Sequence, residues 1–242
     1  YIKTNDYVLG EKNKLDFAND QSTYSNHHGY YHPRIREFQE QFGYYDIFKV
    51  DPDSGDIVYS VFKEIDFTTS LIDGPYAGTN LGEVFREANK STNPDFVKLV
   101  DFSPYAPSHE NAASFIASPI FDGQRKVGVL IFQMPIDRIN NVMTSNHKWK
   151  SAGLGESGET YIIGSDFTMR SQSRFLIEDK EDYRAQMEGL GIEKSLLNII
   201  SAKDSTILLQ KIETKGTHAA LSGESNVEIF PDYRHIPVLS AY

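Results

Sequence analysis

The chain has 242 residues, of which 39% are hydrophobic and 12% aromatic, enough to fill the core of one large or two ordinary domains. Thirty-four acidic residues against 24 basic ones give a formal net charge of -10, which disfavours nucleic acid, since phosphates are neutralised by clustered Lys and Arg. The absence of Cys excludes a thiol nucleophile, a zinc-thiolate site and a disulfide frame.

No stretch approaches the roughly 20 apolar residues that span a bilayer, and the longest uncharged apolar run, VGVLIFQM over 127–134, is strand-sized. The chain begins at Tyr1 with neither Met nor a signal-peptide pattern, so a fragment excised from a longer protein is expected.

In chain order, residues 1–30 are polar with sparse apolar positions, Tyr7, Leu15, Phe17 and Tyr24, and read as a helix that needs a partner. Pro33 then suits a first helical turn, and Tyr31, Ile35, Phe38 and Phe42 follow at helical spacing before Gly43, predicting a short amphipathic helix with a glycine stop. YYDIFKV (44–50) and DIVYSVF (56–62) are β-prone runs around Asp51-Pro52-Asp53-Ser54-Gly55, the composition of a tight reversal. Asn80 with Glu83 has the spacing of an N-cap and its N3 partner, leading into Leu81, Val84, Phe85 and Ala88.

Strands follow at 97–102, 111–121 and 126–134, the last apolar on both faces and therefore central. The order predicts a five-stranded antiparallel sheet with flanking helices, an α+β module. Ile136, Ile139 and Met143 continue as a helix towards Trp149. ETYIIG (159–164) and TMRSQS (168–173) read as a second hairpin, followed by a helix around Ile192, Leu196, Ile199 and Ile200 and by strands at 226–230 and 235–242. The second half thus reads as a shorter copy of the first, one strand short at Tyr242.

Several motifs have simpler readings than their patterns suggest. Gly153-Leu154-Gly155-Glu156-Ser157-Gly158 matches G-x-G-x-x-G, but it follows a helix and enters a strand, the reverse of the order that aims amides at a pyrophosphate, so a turn is expected. Asp51 to Asp56 imitates a calcium loop, yet its glycine is one place early and Phe62 stands where a bidentate Glu is needed. His27, His28 and His32 cluster without an H-E-x-x-H pattern or a third ligand, and no metal or cofactor is expected. No G-x-S-x-G elbow is present, and pairs such as Asp101 with Glu110 lack the context of general acid-base catalysis. The stretch from Phe67 to Tyr105 is richer: Tyr76, Asp101, Ser103 and Tyr105 are the aromatic, acidic and hydroxyl types that line ligand pockets.

With YHPRIREFQEQFGYYDIFKVD (31–51), GPYAGTNLGEVFREA (74–88), FIASPIFDGQRKVGVLIFQMPIDRIN (115–140) and GLGESGETYIIGSDFTMRSQSR (153–174) in view, the chain resembles the double Cache sensors, the tandem periplasmic PAS-like domains of bacterial histidine kinases, chemotaxis receptors and diguanylate cyclases. The resemblance implies an N-terminal helix (1–30), a membrane-distal module (31–135) with the ligand pocket, a linker helix (136–152) and an incomplete membrane-proximal module (153–242), each module being an antiparallel sheet of about five strands.

It further implies a non-enzymatic small-molecule sensor in the periplasmic part of an inner-membrane receptor, first of all a histidine kinase. The chain would reach the membrane only through flanking segments and would form a homodimer through the N-terminal helix. Carried over by topology, the ligand-binding residues are Tyr59, Lys63, Tyr76, Asp101, Ser103, Ser114 and Gln133. The Arg-x-Trp-Tyr signature of the amino-acid-binding branch is missing, GPYAGTN standing at about its place, while Asp101 remains to meet a cationic or hydroxylated ligand. A secreted hydrolase and a two-lobed solute-binding protein are the alternatives of another class.

Overall fold

The computed structural model describes residues 11–242. The chain divides into two compact units, Tyr1–Pro135 and Ile136–Tyr242.

The helix expected over residues 1–30 falls partly outside the described residues, Tyr7 with it. From residue 11 the chain instead makes a 3-10 turn at Lys12–Lys14 and an irregular stretch before α1, Thr23–Phe42. Ser22 caps α1 by accepting from the amide of Ser25, and Gly43 ends it in the left-handed conformation at φ 74°. Pro33 lies inside this helix and not in a first turn, so two expected helices are one. Arg36 holds the preceding stretch against α1 through an ion pair with Asp16 at 2.6 Å.

Five strands follow: β1 (Ile47–Val50), β2 (Ile57–Ser60), β3 (Lys98–Tyr105), β4 (Asn111–Asp122) and β5 (Arg125–Gln133). They form one antiparallel sheet in the order β2-β1-β5-β4-β3, with α2 (Asn80–Lys90) between the second and third in sequence. Thr79, one residue before the expected Asn80, is the N-cap of α2 and accepts from the amide of Gly82. Pro119 is tolerated within β4 because the β3 ladder begins at the Lys98–Ala117 pair, leaving that edge of β4 without a neighbour at Pro119.

Strand alternation separates the two faces of the sheet. Phe48, Val50, Val129, Ile131, Phe115, Ala117 and Val100 share the inner face and are buried against Leu81, Val84, Phe85 and Ala88 of α2. Each such aliphatic or aromatic side chain contributes roughly 1.5–3 kcal/mol on burial. The outer face, with Ile47, Lys49, Tyr59, Leu130 and Phe132, lies towards α1.

The second unit is not a smaller copy of this sheet. Its helices are α3 (Ile136–Met143), α4 (Arg174–Glu178), α5 (Lys180–Gly189), α6 (Lys194–Lys203) and α7 (Lys215–Leu221), and its sheet is a two-stranded ladder of β6 (Val227–Pro231) with β7 (Pro237–Ala241). The hairpin expected at 159–164 and 168–173 is reduced to one bridge, Ile163 with Met169. Met169 exchanges its main-chain bonds elsewhere, donating to the carbonyl of Gln210 at 3.0 Å and accepting from the amide of Leu208 at 2.9 Å. Leu176, Tyr183, Met187, Leu197 and Ile200 form a separate helical core. No described helix is long and apolar enough to cross a membrane.

Candidate functional site

The inner face of the first unit changes character at one end. Asp46 shares strand parity with Phe48 and Val50, so the pleat that buries those residues also buries its carboxylate. Ser60, opposite Phe48, donates to Asp46 Oδ2 at 2.7 Å, while Oδ1 accepts from the amides of Ile47 at 2.6 Å and Val61 at 2.8 Å. Burial raises Asp46 to about 7 despite those bonds. The carboxylate fixes the exit of β2, which delivers Glu64 and Asp66 to the same region.

Asp66 is buried and accepts a 2.6 Å bond from the hydroxyl of Tyr105 at the end of β3. Burial raises its pKa, and that of Tyr105 rises as well, by burial first and then by the charge of Asp66. Glu64, half-buried, accepts from the Tyr45 hydroxyl at 3.1 Å and is raised to about 8 by burial and by the charges of Asp46 and Asp66. Tyr45 stacks on Phe62 with ring centroids 5.4 Å apart, forming the outward rim.

Gln133, the last residue of β5, is buried beside this cluster. Its Nε2 donates to Ser108 Oγ at 3.1 Å. Two buried oxygens at this end have no hydrogen-bond partner among the described residues, Asp66 Oδ1 and Gln133 Oε1. Three carboxylates gather here with the Tyr45 and Tyr105 hydroxyls already engaged as donors, and the two remaining acceptors suit a cation or a polyhydroxylated molecule.

Sequence reasoning placed only part of this. Of its seven candidates, Gln133 lies in the cluster and Tyr76 packs on Tyr105 with ring centroids 6.1 Å apart. Lys63 is buried next to the cluster but its ammonium turns away, donating to the carbonyls of Val61 at 3.0 Å and Lys12 at 3.4 Å. Burial lowers it to about 7. Ser114 is buried and donates to the carbonyl of Val100 at 2.6 Å, spanning the irregularity where β3 slips register against β4. Tyr59 faces the other side of the sheet, where its hydroxyl meets His32.

Asp101 and Ser103 border a polar surface groove of about 710 Å³ that also touches Arg86 and Lys98. The residues missed were Tyr45, Asp46, Glu64, Asp66 and Ser108. A signal for Asp46 existed: an acid at an inward position of an otherwise apolar strand run.

The remaining motifs resolve into local structure. Arg174 is buried, and Nη1 donates to the carbonyls of Gly155 at 3.2 Å and Gly158 at 2.6 Å, Nη2 to that of Glu156 at 2.9 Å. The glycine-rich loop therefore points carbonyls at a cation, the opposite of a phosphate cradle. Asp51 Oδ1 accepts from the amides of Asp53 at 3.0 Å and Ser54 at 2.8 Å, a turn closed by its own side chain. His28 and His32 stack with centroids 4.3 Å apart and meet the carbonyls of Asp16 and Asn13.

No family model and no curated protein matches the chain. Among solved structures it is similar to the sensor domain of the V. cholerae histidine kinase DctB, 12% identical over 55% of this chain and 47% of that one, with a TM-score of 0.32. It is also similar to the ligand-binding domain of the Pseudomonas aeruginosa PAO1 amino acid chemoreceptor PctC in complex with GABA, 8% identical over 65% and 60% of the two chains, TM-score 0.40. A third is the ligand-binding domain of the Pseudomonas fluorescens chemoreceptor CtaA in complex with L-isoleucine, 13% identical over 54% and 46%, TM-score 0.33. The chain spans about half the length of the first and third of these.

Proposed function

We propose that the first unit is the ligand-binding module of an extracytoplasmic bacterial receptor, a double Cache type sensor, with its ligand held at the acidic end of the inner sheet face. The observation that carries this reading is the pair of buried acceptors with no donor among the described residues, Asp66 Oδ1 and Gln133 Oε1, at the end of an otherwise apolar core. A ligand bearing an ammonium or several hydroxyls supplies what they lack, and Tyr45, Phe62 and Tyr105 supply aromatic walls. The sheet order β2-β1-β5-β4-β3 with α2 on the inner face supports the PAS-like assignment. A two-lobed solute-binding protein is disfavoured, since every ladder among the described residues is antiparallel.

Signalling then follows from differential affinity: the ligand favours whichever arrangement of the Glu64–Asp66 segment lets those carboxylates ionise around it. A sensor histidine kinase is the proposed receptor, and a chemotaxis receptor or diguanylate cyclase would use the same module. The test is a thermal-shift screen of the chain against amines, amino acids, polyols and organic acids, repeated on Asp66→Asn and Gln133→Leu. A cationic or polyhydroxylated hit weakened by both substitutions is expected. A hit that neither substitution weakens, or stabilisation by organic acids alone, overturns the assignment.

A further inference from the structure

The helical stripe that sequence periodicity marks as the core face of α1 is not buried. Tyr31 is 53% exposed and Phe38 40%, while Ser25, His28, His32 and Gln39 take the buried positions. Tyr31 and Phe38 instead wall a groove between α1 and the outer face of the sheet, floored by Val58, Leu130 and Phe132. Its volume is about 850 Å³, within the roughly 300–1,000 Å³ of small-molecule sites.

The charges around this groove run against those of the protein. In a chain of net charge -10, the charged side chains that line the groove are Lys49 and Arg34, and among the described residues no carboxylate lines it. Lys49 projects from β1 with its stem over Gly128 of β5, where an added Cβ would come within 3.2 Å of Lys49 Cε. Neither Lys49 nor Arg34 forms an ion pair among the described residues. The Arg34 guanidinium lies 4.4 Å from the Tyr30 ring centroid.

We propose that this groove binds an anionic amphiphile, a medium-chain carboxylate whose hydrocarbon lies along Phe38, Val58 and Phe132 and whose head is held by Lys49, with Arg34 adding long-range attraction. The two faces of the sheet would then select ligands of opposite charge, the acidic inner end a cation and the outer groove an anion. Each methylene that leaves water adds to binding, so affinity should climb with chain length until the floor is covered.

Calorimetric titration of the full chain with decanoate, butyrate and decyltrimethylammonium tests this. Decanoate is expected to bind one per chain, and butyrate and the cationic amphiphile at least about tenfold more weakly. Lys49→Glu should weaken decanoate by at least about tenfold at unchanged far-ultraviolet circular dichroism. Lys49→Met, which keeps the stem, serves if the first variant does not fold. Val58→Trp, which fills the floor, should abolish binding.

Equal binding of the anionic and cationic amphiphiles overturns the proposal, as does decanoate binding that survives both Lys49→Met and Val58→Trp. So does a dimer in sedimentation equilibrium that dissociates in Phe38→Ser and excludes decanoate, because a second copy of the chain would then occupy the groove.

Discussion

The hydroxyl of Tyr59 lies 2.7 Å from Nδ1 of His32, joining β2 to α1 by a bond whose direction the surroundings fix. The other ring nitrogen, Nε2, faces the carbonyl of Asn13 at 2.7 Å and so carries the proton, leaving Nδ1 to accept from the phenol. Tyr59→Phe deletes the donor and strands a buried acceptor. A loss of about 1–3 kcal/mol in urea denaturation is expected. An unchanged midpoint and slope would show that the bond contributes nothing.

Acid and base groups in the first unit act on stability with opposite signs. Burial lowers His28 to about 4 and His32 to about 3, from an ordinary value of 6.5. As pH falls below 6.5 the unfolded chain gains protons there that the folded chain refuses, so stability present above that pH is progressively lost towards 3. Asp46 and Glu64, raised by burial to about 7 and about 8, behave conversely. The folded chain keeps protons that the unfolded chain releases above about 4, so their contribution is present at low pH and lost as pH rises.

Urea midpoints measured from about pH 4.5 to 7 separate the two effects. The double variant His28→Gln/His32→Gln should lose less stability than the parent on acidification. Glu64→Gln should lose less on going the other way. Parallel curves for all three proteins would rule out these groups as the source of any pH dependence.

Gly82 is buried in the first turn of α2, where an added Cβ would lie 2.3 Å from the carbonyl oxygen of Ala77. Helix propensity alone favours Ala over Gly by about 1 kcal/mol. The clash reverses that preference, and Gly82→Ala is expected to lose about 1–3 kcal/mol in thermal unfolding. A raised melting temperature would mean that the segment before α2 yields at little cost.

In the second unit, Arg174 organises the glycine-rich loop through three carbonyls, pairs with Glu178 at 3.0 Å and lies 4.9 Å from the ring of Trp149. Arg174→Met removes the donors, with an expected cost of at least about 2 kcal/mol, and Arg174→Lys should not restore it because an ammonium lacks the planar fork. Trp149 is the chain's sole tryptophan, so its emission reports this unit directly. An unfolding curve for Arg174→Met that superimposes on the parent's refutes the role.

The first unit was legible because each of its strands carries its own signal. DIVYSVF, NAASFIASPIF and KVGVLIFQM announce β structure locally, and Asp122-Gly123 announces a turn, so β2, β4 and β5 lie where the runs are. α2 is equally plain, since Leu81, Val84, Phe85 and Ala88 repeat at the spacing of one buried face. α1 misled because Tyr31, Ile35 and Phe38 of its apolar stripe border a groove and Phe42 is exposed, while polar His28, His32 and Gln39 are buried through bonds to main-chain carbonyls.

Local pattern by itself determined the five strands and α2 of the first unit and which face of each strand turns inward, because alternation and helical spacing are properties of neighbouring residues. Tertiary structure alone decided that Asp46, Glu64, Asp66, Tyr105 and Gln133, scattered over nearly ninety positions, would meet at one end of the sheet, and that 167–169 would bond to 208–212 as well as to the short turn it makes with 162–164. The physical reason is that a buried carboxylate or an unpaired main-chain group is satisfied by whichever partner the packed fold brings near, and that partner need not be a neighbour in sequence.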